Sequence, residues 1–203
     1  MITTWDAIFP TPILRTNIGR ELTEEEHRFF SETEKNLSSN FENSTSIDKY
    51  VLDAPAMQPL RAFFIEGVNQ YGRKIISVSE RVEFYITQSW INYTQTGQSH
   101  HRHMHTNSLI SGVFYIKAVK DIDRLFFYRD ATPQISVWNK EVNWYNADSW
   151  CFSVGTGDLI LFPSNVQHGV EETTGKHTRI SLAFNVFVRG EIGAEERLNK
   201  LTL

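Results

Sequence analysis

Four of the chain's seven histidines crowd into GQSHHRHMHTNS, residues 97–108, as His100, His101, His103 and His105. Neutral imidazole is a good ligand for Fe, Zn, Ni and Cu, and two imidazoles at i and i+2 on a strand point to one side as a chelating pair. If the stretch is a strand, His101, His103 and His105 face inward while His100, Arg102 and Met104 face away. A further ligand must come from elsewhere, and His168, just past DLILFPSNVQ, sits beyond a strand end, where sites are commonly built. Taken alone, the cluster is equally compatible with a solvated turn. His27, in a helical stretch, and His177, beside Lys176 in a turn, read as surface residues.

A second stretch carries chemistry of a different kind. In RISLAFNV, alternation puts Ile180, Leu182, Phe184 and Val186 on one face and Arg179, Ser181, Ala183 and Asn185 on the other. The apolar face suits packing beneath helices. The other must line solvent or a cavity that wants a cation and hydroxyls.

The elements that have to position these residues fall into two halves. Thr23 followed by Glu26 is a capping box with Leu22 as staple, predicting a helix over 23–38 with Phe30 and Leu37 on one face. The following Ser-, Asn- and Asp-rich residues read as a mobile connection. Leu60, Phe63, Phe64, Val68, Tyr71 and Ile75 recur at helical spacing and predict a second helix. From about residue 82 the period becomes two. VEFYITQSWIN, LISGVFYIKAV, DRLFFYRD, QISVW, SWCFSV, DLILFP, HGVEE and TRISLAFNVFV are the candidate strands. Many short strands with no interposed helix predict an antiparallel jelly roll, a double-stranded β-helix of cupin-like form, with the helices packed on its major sheet. The 203 residues read as a single domain, with helical support over about 20–80 and the β core over about 82–189.

Composition narrows the partners. The formal charge is -4, with 20 Lys+Arg against 24 Asp+Glu and no basic run, so capture of nucleic acid through its phosphates is not indicated. The start, MITTWDAIFPTPIL, lacks a basic region followed by an apolar core, and no apolar run reaches the roughly 20 residues that span a bilayer. A lone Cys151 cannot form an internal disulfide. It reads as strand packing, and a cytoplasmic location, the host's if the chain is phage-encoded, is expected.

The order Tyr93, Gly97, His103-x-His105, Tyr115, GDLILFPSNVQH ending in His168, then Arg179-x-Ser181 resembles the iron(II)- and 2-oxoglutarate-dependent oxygenases. HMHTNSLISGVFYI, LILFPSNVQHGVE and RISLAFNV are similar to a small branch of that superfamily found in phage and bacterial genomes. The resemblance spans roughly residues 85–189. It implies that His103 and His168 are the two histidine ligands of the iron and that His105 stands where a carboxylate ligand usually stands. It also implies that Arg179 pairs with the far carboxylate of 2-oxoglutarate, assisted by Ser181 and by the Tyr115 phenol. Fe(II), 2-oxoglutarate as cosubstrate and O2 follow, with succinate, CO2 and a hydroxylated substrate as products. The departure is His105, which leaves the centre more positive than the usual two-histidine, one-carboxylate triad. Asp130, Asp148 and Asp158 do not have the spacing to join His103 on its strand.

Residues 131–150 bring Trp138, Trp144, Trp150 and Tyr145 into a polar insert, read either as a lid or substrate wall or as a subunit interface. Exposed tryptophans are compatible with a homodimer. Trp90 and Asn92 share a face on the strand leading into the histidines, with Trp90 expected in the core. Asn107 and Ser108 are expected to end the ligand strand through turn hydrogen bonds. The substrate, a small molecule or a protein side chain, is not written in the sequence. Two other functions fit the residues: a three-histidine cupin-like enzyme working without 2-oxoglutarate, and a non-catalytic jelly-roll binding or virion protein.

Overall fold

The computed structural model describes residues 1–130, 135 and 137–203. In its first part the order is β1 (Leu14–Asn17), α1 (Glu24–Glu34), β2 (Leu37–Ser39), β3 (Ser44–Ser46) and α2 (Gln58–Tyr71). The β-rich part runs β4 (Val82–Thr94), β5 (His100–His103), β6 (Ile110–Lys117), β7 (Arg124–Tyr128), β8 (Ser149–Ser153), β9 (Asp158–Pro163), β10 (His168–Val170), β11 (Arg179–Ile192) and β12 (Leu201–Thr202). The large sheet has the order β1-β9-β6-β11-β4-β3-β2, with β12 paired to β11, and the small sheet has the order β5-β10-β7-β8. Both are antiparallel, and together they make the jelly roll that the strand pattern predicts.

Two apolar layers result, and the cavity lies between the sheets. On the outer face of the large sheet, Leu60, Phe64, Val68 and Tyr71 of α2 pack on Phe114, Leu159, Leu161, Leu182, Phe184 and Val186. The Phe64 and Phe184 rings stack at 4.9 Å. This contact dictates Gly112, because a Cβ there would stand 2.2 Å from the Phe184 ring. Between the sheets, Leu125, Phe127, Ile160, Phe162 and Val170 pack around Tyr115. The alternation of β11 thus divides as its sequence says: Leu182, Phe184 and Val186 go under the helices, and Arg179, Ser181 and Ala183 go between the sheets.

Helix α1 starts as predicted. Thr23 Oγ1 accepts from the Glu26 amide at 3.2 Å, and Glu26 returns the bond to the Thr23 amide at 2.7 Å. Glu26 is fully buried because Arg20 clamps both of its oxygens, at 2.8 and 2.7 Å. The helix ends at Glu34, however, and Leu37 belongs to β2.

The polar stretch that follows is also built, contrary to its reading as a mobile connection. Strands β2 and β3 pair with each other, β3 pairs with β4, and Val51 and Leu52 are completely buried. Its hydroxyls do structural work: Ser46 Oγ accepts from the Ile91 amide at 3.0 Å, while the Leu52 amide donates to Ser89 Oγ at 3.0 Å. The large sheet therefore reaches outside residues 82–189, through β1, β2, β3 and β12. Of the predicted strand QISVW, Gln134 and Ser136 lie outside the described residues, and Ile135, Val137 and Trp138 are exposed and in no strand. Among the described residues no helix is long and apolar enough to cross a membrane.

Candidate metal centre

The site forms where β5 meets β10. His168 pairs with His103 and Val170 with His100, so β10 takes two steps where β5 takes three. The extra residue is a β-bulge, and a bulge resets side-chain alternation. His100 and His103 consequently share the inner face, their rings stacked at 4.7 Å and 16° from parallel. His101 is turned out to solvent, edge-on to Phe41 at 5.8 Å. This corrects the strict alternation expected from sequence, which sends His101 inward and His100 outward.

His103, His105 and His168 are brought together: one ring nitrogen from each lies within 4.8 Å of the others, and among the described residues they are the one such group of His, Cys, Asp or Glu. Two of the rings are pinned in the same way. His103 Nδ1 is 2.8 Å from the His101 carbonyl, and His168 Nδ1 is 3.0 Å from the Val166 carbonyl. A carbonyl only accepts, so each Nδ1 carries the proton and each Nε2 keeps its lone pair. The Nε2 atoms of His103 and His105 approach to 3.1 Å. Nitrogens at right angles around a metal, with bonds of about 2.1 Å, stand about 3.0 Å apart. Converging lone pairs with the opposite nitrogens anchored are what a divalent transition metal requires, and the donor set fits one.

Burial keeps the rings uncharged. It pushes His168 down to about 3 and His105 to about 4, with the neighbouring His103 adding to both shifts. His103 is lowered for the same leading reason, and His100 falls to about 3 through burial and then the adjacent histidines. Neutral imidazole is the ligating form. Among the described residues no carboxylate joins the group, and its third nitrogen comes from His105.

From the histidines a narrow cavity runs between the sheets, walled by Trp90, Asn92, Val113, Tyr115, Leu125, Phe162, Val170, Arg179 and Ser181. The β11 register sets Ser181 between Asn92 of β4 and Tyr115 of β6. Arg179 is 3% exposed, without an ion-pair partner among the described residues; its one hydrogen bond is a long 3.5 Å donation from Nη1 to the Arg124 carbonyl. Among the described residues its Nε and the fully buried Tyr115 hydroxyl have no partner, and the guanidinium carbon stands 5.9 Å from the Tyr115 ring. Burial holds Arg179 below its usual pKa and pushes Tyr115 up to about 12. A desolvated guanidinium beside an unpartnered phenol is costly unless an anion satisfies both, and a carboxylate matches the fork. The free room is about 30 Å³, about the space of one water. An organic anion therefore has to turn aside half-buried rings such as Trp90 and His100.

Two readings of single residues change. Trp90 lines the cavity and stacks on His105 at 5.7 Å and 17°, so it is not simple core. His177 is not a plain surface residue: its Nε2 lies 2.7 Å from Oδ2 of the buried Asp123. In the insert, Trp138, Trp144 and Tyr145 are exposed, and none of its described residues lines this cavity. Asn107 adopts a left-handed φ of 54°, and Ser108 Oγ lies 3.1 Å from the Ile110 carbonyl, so together they turn the chain out of the histidine segment as expected.

Fold and site define a jelly-roll protein with a metal-fitting histidine centre and an anion-fitting arginine in one cavity. Comparison with known proteins is consistent with that class. Residues 88–185 match the family described as "Putative 2OG-Fe(II) oxygenase". Among solved structures, the chain is similar to HygX from Streptomyces hygroscopicus with nickel, 2-oxoglutarate and hygromycin B bound. That similarity has 11% identity and a TM-score of 0.60, over 87% of this chain and 82% of that one. A 2OG-Fe(II) oxygenase-family oxidoreductase from Burkholderia pseudomallei is similar at 13% identity and TM-score 0.58, over 86% and 83% of the two chains. A Pseudomonas putida prolyl-4-hydroxylase follows at 15% and 0.54, over 86% and 92%. No curated protein matches the sequence. Over residues 88–185 the chain matches the iron(II)- and 2-oxoglutarate-dependent oxygenases, enzymes that use Fe(II), 2-oxoglutarate and O2.

Proposed function

We propose that the protein hydroxylates a substrate C–H bond, with 2-oxoglutarate converted to succinate and CO2. In this reading His103, His105 and His168 hold Fe(II), and Arg179 holds the far carboxylate of 2-oxoglutarate with Tyr115 and Ser181. The observation that carries it is the meeting, in one cavity, of three converging imidazole nitrogens with a buried arginine that forms no ion pair among the described residues. The bound metal supplies oxygen activation coupled to decarboxylation of the cosubstrate.

The chain's own residues supply the rest. Arg179 offers a bidentate fork, the Tyr115 and Ser181 hydroxyls donate beside it, and Leu125, Phe162 and Val170 exclude water from the chamber. No side chain has to move a proton as general base. A three-histidine enzyme working without 2-oxoglutarate is disfavoured, because it leaves the charge on Arg179 buried to no purpose.

The test is anaerobic addition of Fe(II) and then 2-oxoglutarate to the purified protein. The expected result is the visible charge-transfer band of a keto acid chelated to iron, lost in His103→Ala, with succinate formed once oxygen and substrate mixtures are supplied. Iron binding with no band on adding 2-oxoglutarate overturns the reading.

A further inference from the structure

The run HGVEETT leaves β10 with two adjacent carboxylates and two adjacent hydroxyls. With the turn into β7 and the first residue of β11, these residues wall a second cavity of about 310 Å³. It shares Val170 and Arg179 with the metal cavity, and none of the histidines lines it. Its room is that of a small organic molecule.

The charges around it favour a cation. The carboxylates of Asp121, Asp123, Glu171 and Glu172 line it, against the guanidiniums of Arg124 and Arg179. Asp123 is already committed: its Oδ2 lies 2.7 Å from His177 Nε2 and accepts from the Val119 amide at 2.7 Å. Glu171 and Glu172 are exposed and form no ion pair among the described residues. Carboxylates alone would mark no more than a solvated rim. Thr173 makes the difference. It is 5% exposed and lines the cavity, and its Oγ1 has no hydrogen-bond partner among the described residues. Its backbone is held on both sides, the amide donating to the Gln98 carbonyl and the carbonyl accepting from the Gly97 amide, each at 2.8 Å. A buried hydroxyl left without a partner is costly, and a donor supplied by a ligand removes that cost.

A bare metal ion does not fit this place. Among the described residues the one group of His, Cys, Asp or Glu with ligand atoms within 4.8 Å of one another is the histidine trio. Carboxylates spread around the wall of a larger space suit a cation of molecular size, and the half-buried Phe126 gives its hydrocarbon part an apolar wall.

We propose that this second cavity binds an organic ammonium ion of the size of a short alkyl diamine, its charge paired with Glu171 and Glu172 and one N–H accepted by Thr173 Oγ1. It is a separate ligand site, because the three converging histidines have no part in its wall.

The experiment is calorimetric titration of the full-length protein, at neutral pH and low salt, with putrescine, a four-carbon diamine, and with butanediol, its uncharged counterpart. Saturable binding of putrescine and none of butanediol is expected. Glu171→Gln combined with Glu172→Gln is expected to weaken putrescine about ten-fold, and Thr173→Val, which keeps the side-chain shape, about three- to ten-fold. Glu24→Gln with Glu25→Gln removes two exposed carboxylates from α1 and is expected to leave the affinity unchanged. The glutamates of the cavity are exposed, so their double variant decides the matter if Thr173→Val does not fold. No saturable binding in wild type, or equal binding of butanediol, overturns the proposal. So does wild-type affinity in the Glu171/Glu172 variant or in a folded Thr173→Val. An equal loss in the Glu24/Glu25 variant also overturns it, since putrescine would then be answering only to the net charge of the protein.

Discussion

The imidazole of His100 stacks face to face on that of His103, three residues along the same strand, where simple alternation would put them on opposite sides of the sheet. The β5 bulge opposite β10 makes this possible and gives the cavity four histidines although three converge on one point. His100 therefore lines the site without completing the ligand set. His103→Ala is expected to abolish tight Ni(II) binding, whereas His100→Ala and His101→Ala keep it within about three-fold, since neither removes a converging nitrogen. Calorimetric titration checks this; a loss in His100→Ala equal to that in His103→Ala would show that His100 is a ligand.

Arg179 is the residue on which the cosubstrate reading turns. Truncating one partner of a buried, hydrogen-bonded charge pair costs about 2–5 kcal/mol, which is roughly 30- to several-thousand-fold in affinity. Arg179→Ala is expected to weaken 2-oxoglutarate by that factor with metal affinity unchanged. Tyr115→Phe, which loses one hydrogen bond to a charged group, is expected to cost about ten-fold. Titration of the charge-transfer band measures both. Equal cosubstrate affinity in wild type and Arg179→Ala would leave the buried arginine as scaffold.

Trp90 offers a direct view of occupancy. Its ring lies on His105 at the rim of a cavity with almost no spare room. Entry of 2-oxoglutarate is expected to displace it and change tryptophan emission in wild type, with the change lost in Trp90→Phe. An identical emission change in the two proteins would mean that another part of the molecule reports the ligand.

The sequence makes the chemistry more legible than the geometry that serves it. The succession of β-branched and aromatic runs between turn signals identifies β4, β6, β7, β8, β9 and β11, each five residues or longer. It cannot show β1, β2, β3 and β12, whose three or four residues or fewer leave no period to read. The three histidines and Arg179 are visible from residue type and spacing. His100 is not, because a bulge is a property of pairing with β10 and leaves no mark in HHRH. The buried contacts among Ser108, Ser111, Ser164 and Asn185 are equally hidden, because these residues come from separate segments and meet only in the folded barrel.

The stacked pair of Phe64 and Phe184 joins α2 to the sheet that carries Arg179 and Asn185. Both rings are fully buried, so Phe184→Ala is expected to cost about 3–5 kcal/mol of stability. A partial rescue by Gly112→Ala in that background is expected, since the added methyl enters space the ring vacates. Denaturant melts of the single and double variants test this. A double variant less stable than Phe184→Ala would mean that the cavity collapses before the methyl can fill it.

Acid should act on the apo-protein through the histidine cluster. The folded-state pKa values of His105 and His168 lie near 4 and 3, while an unfolded chain binds these protons from about pH 6.5 downward. Across that interval the unfolded state holds more protons than the folded state, so stability rises with pH, and it is lost progressively as pH falls from about 6.5 towards 4. The direction is that of neutral buried bases, opposite to a histidine gaining an acidic partner. Metal exaggerates it, because ligation needs the same unprotonated nitrogens and protons compete for them. The melting temperature of the apo-protein is thus expected to decline from about pH 7 to pH 5, and the increment given by added Ni(II) to shrink over the same range. His168→Gln, which removes one titrating ring, should flatten the apo profile. A profile already flat between these values in wild type would show that the rings are solvated and charge freely in the fold, and that the cluster is more open than its burial indicates.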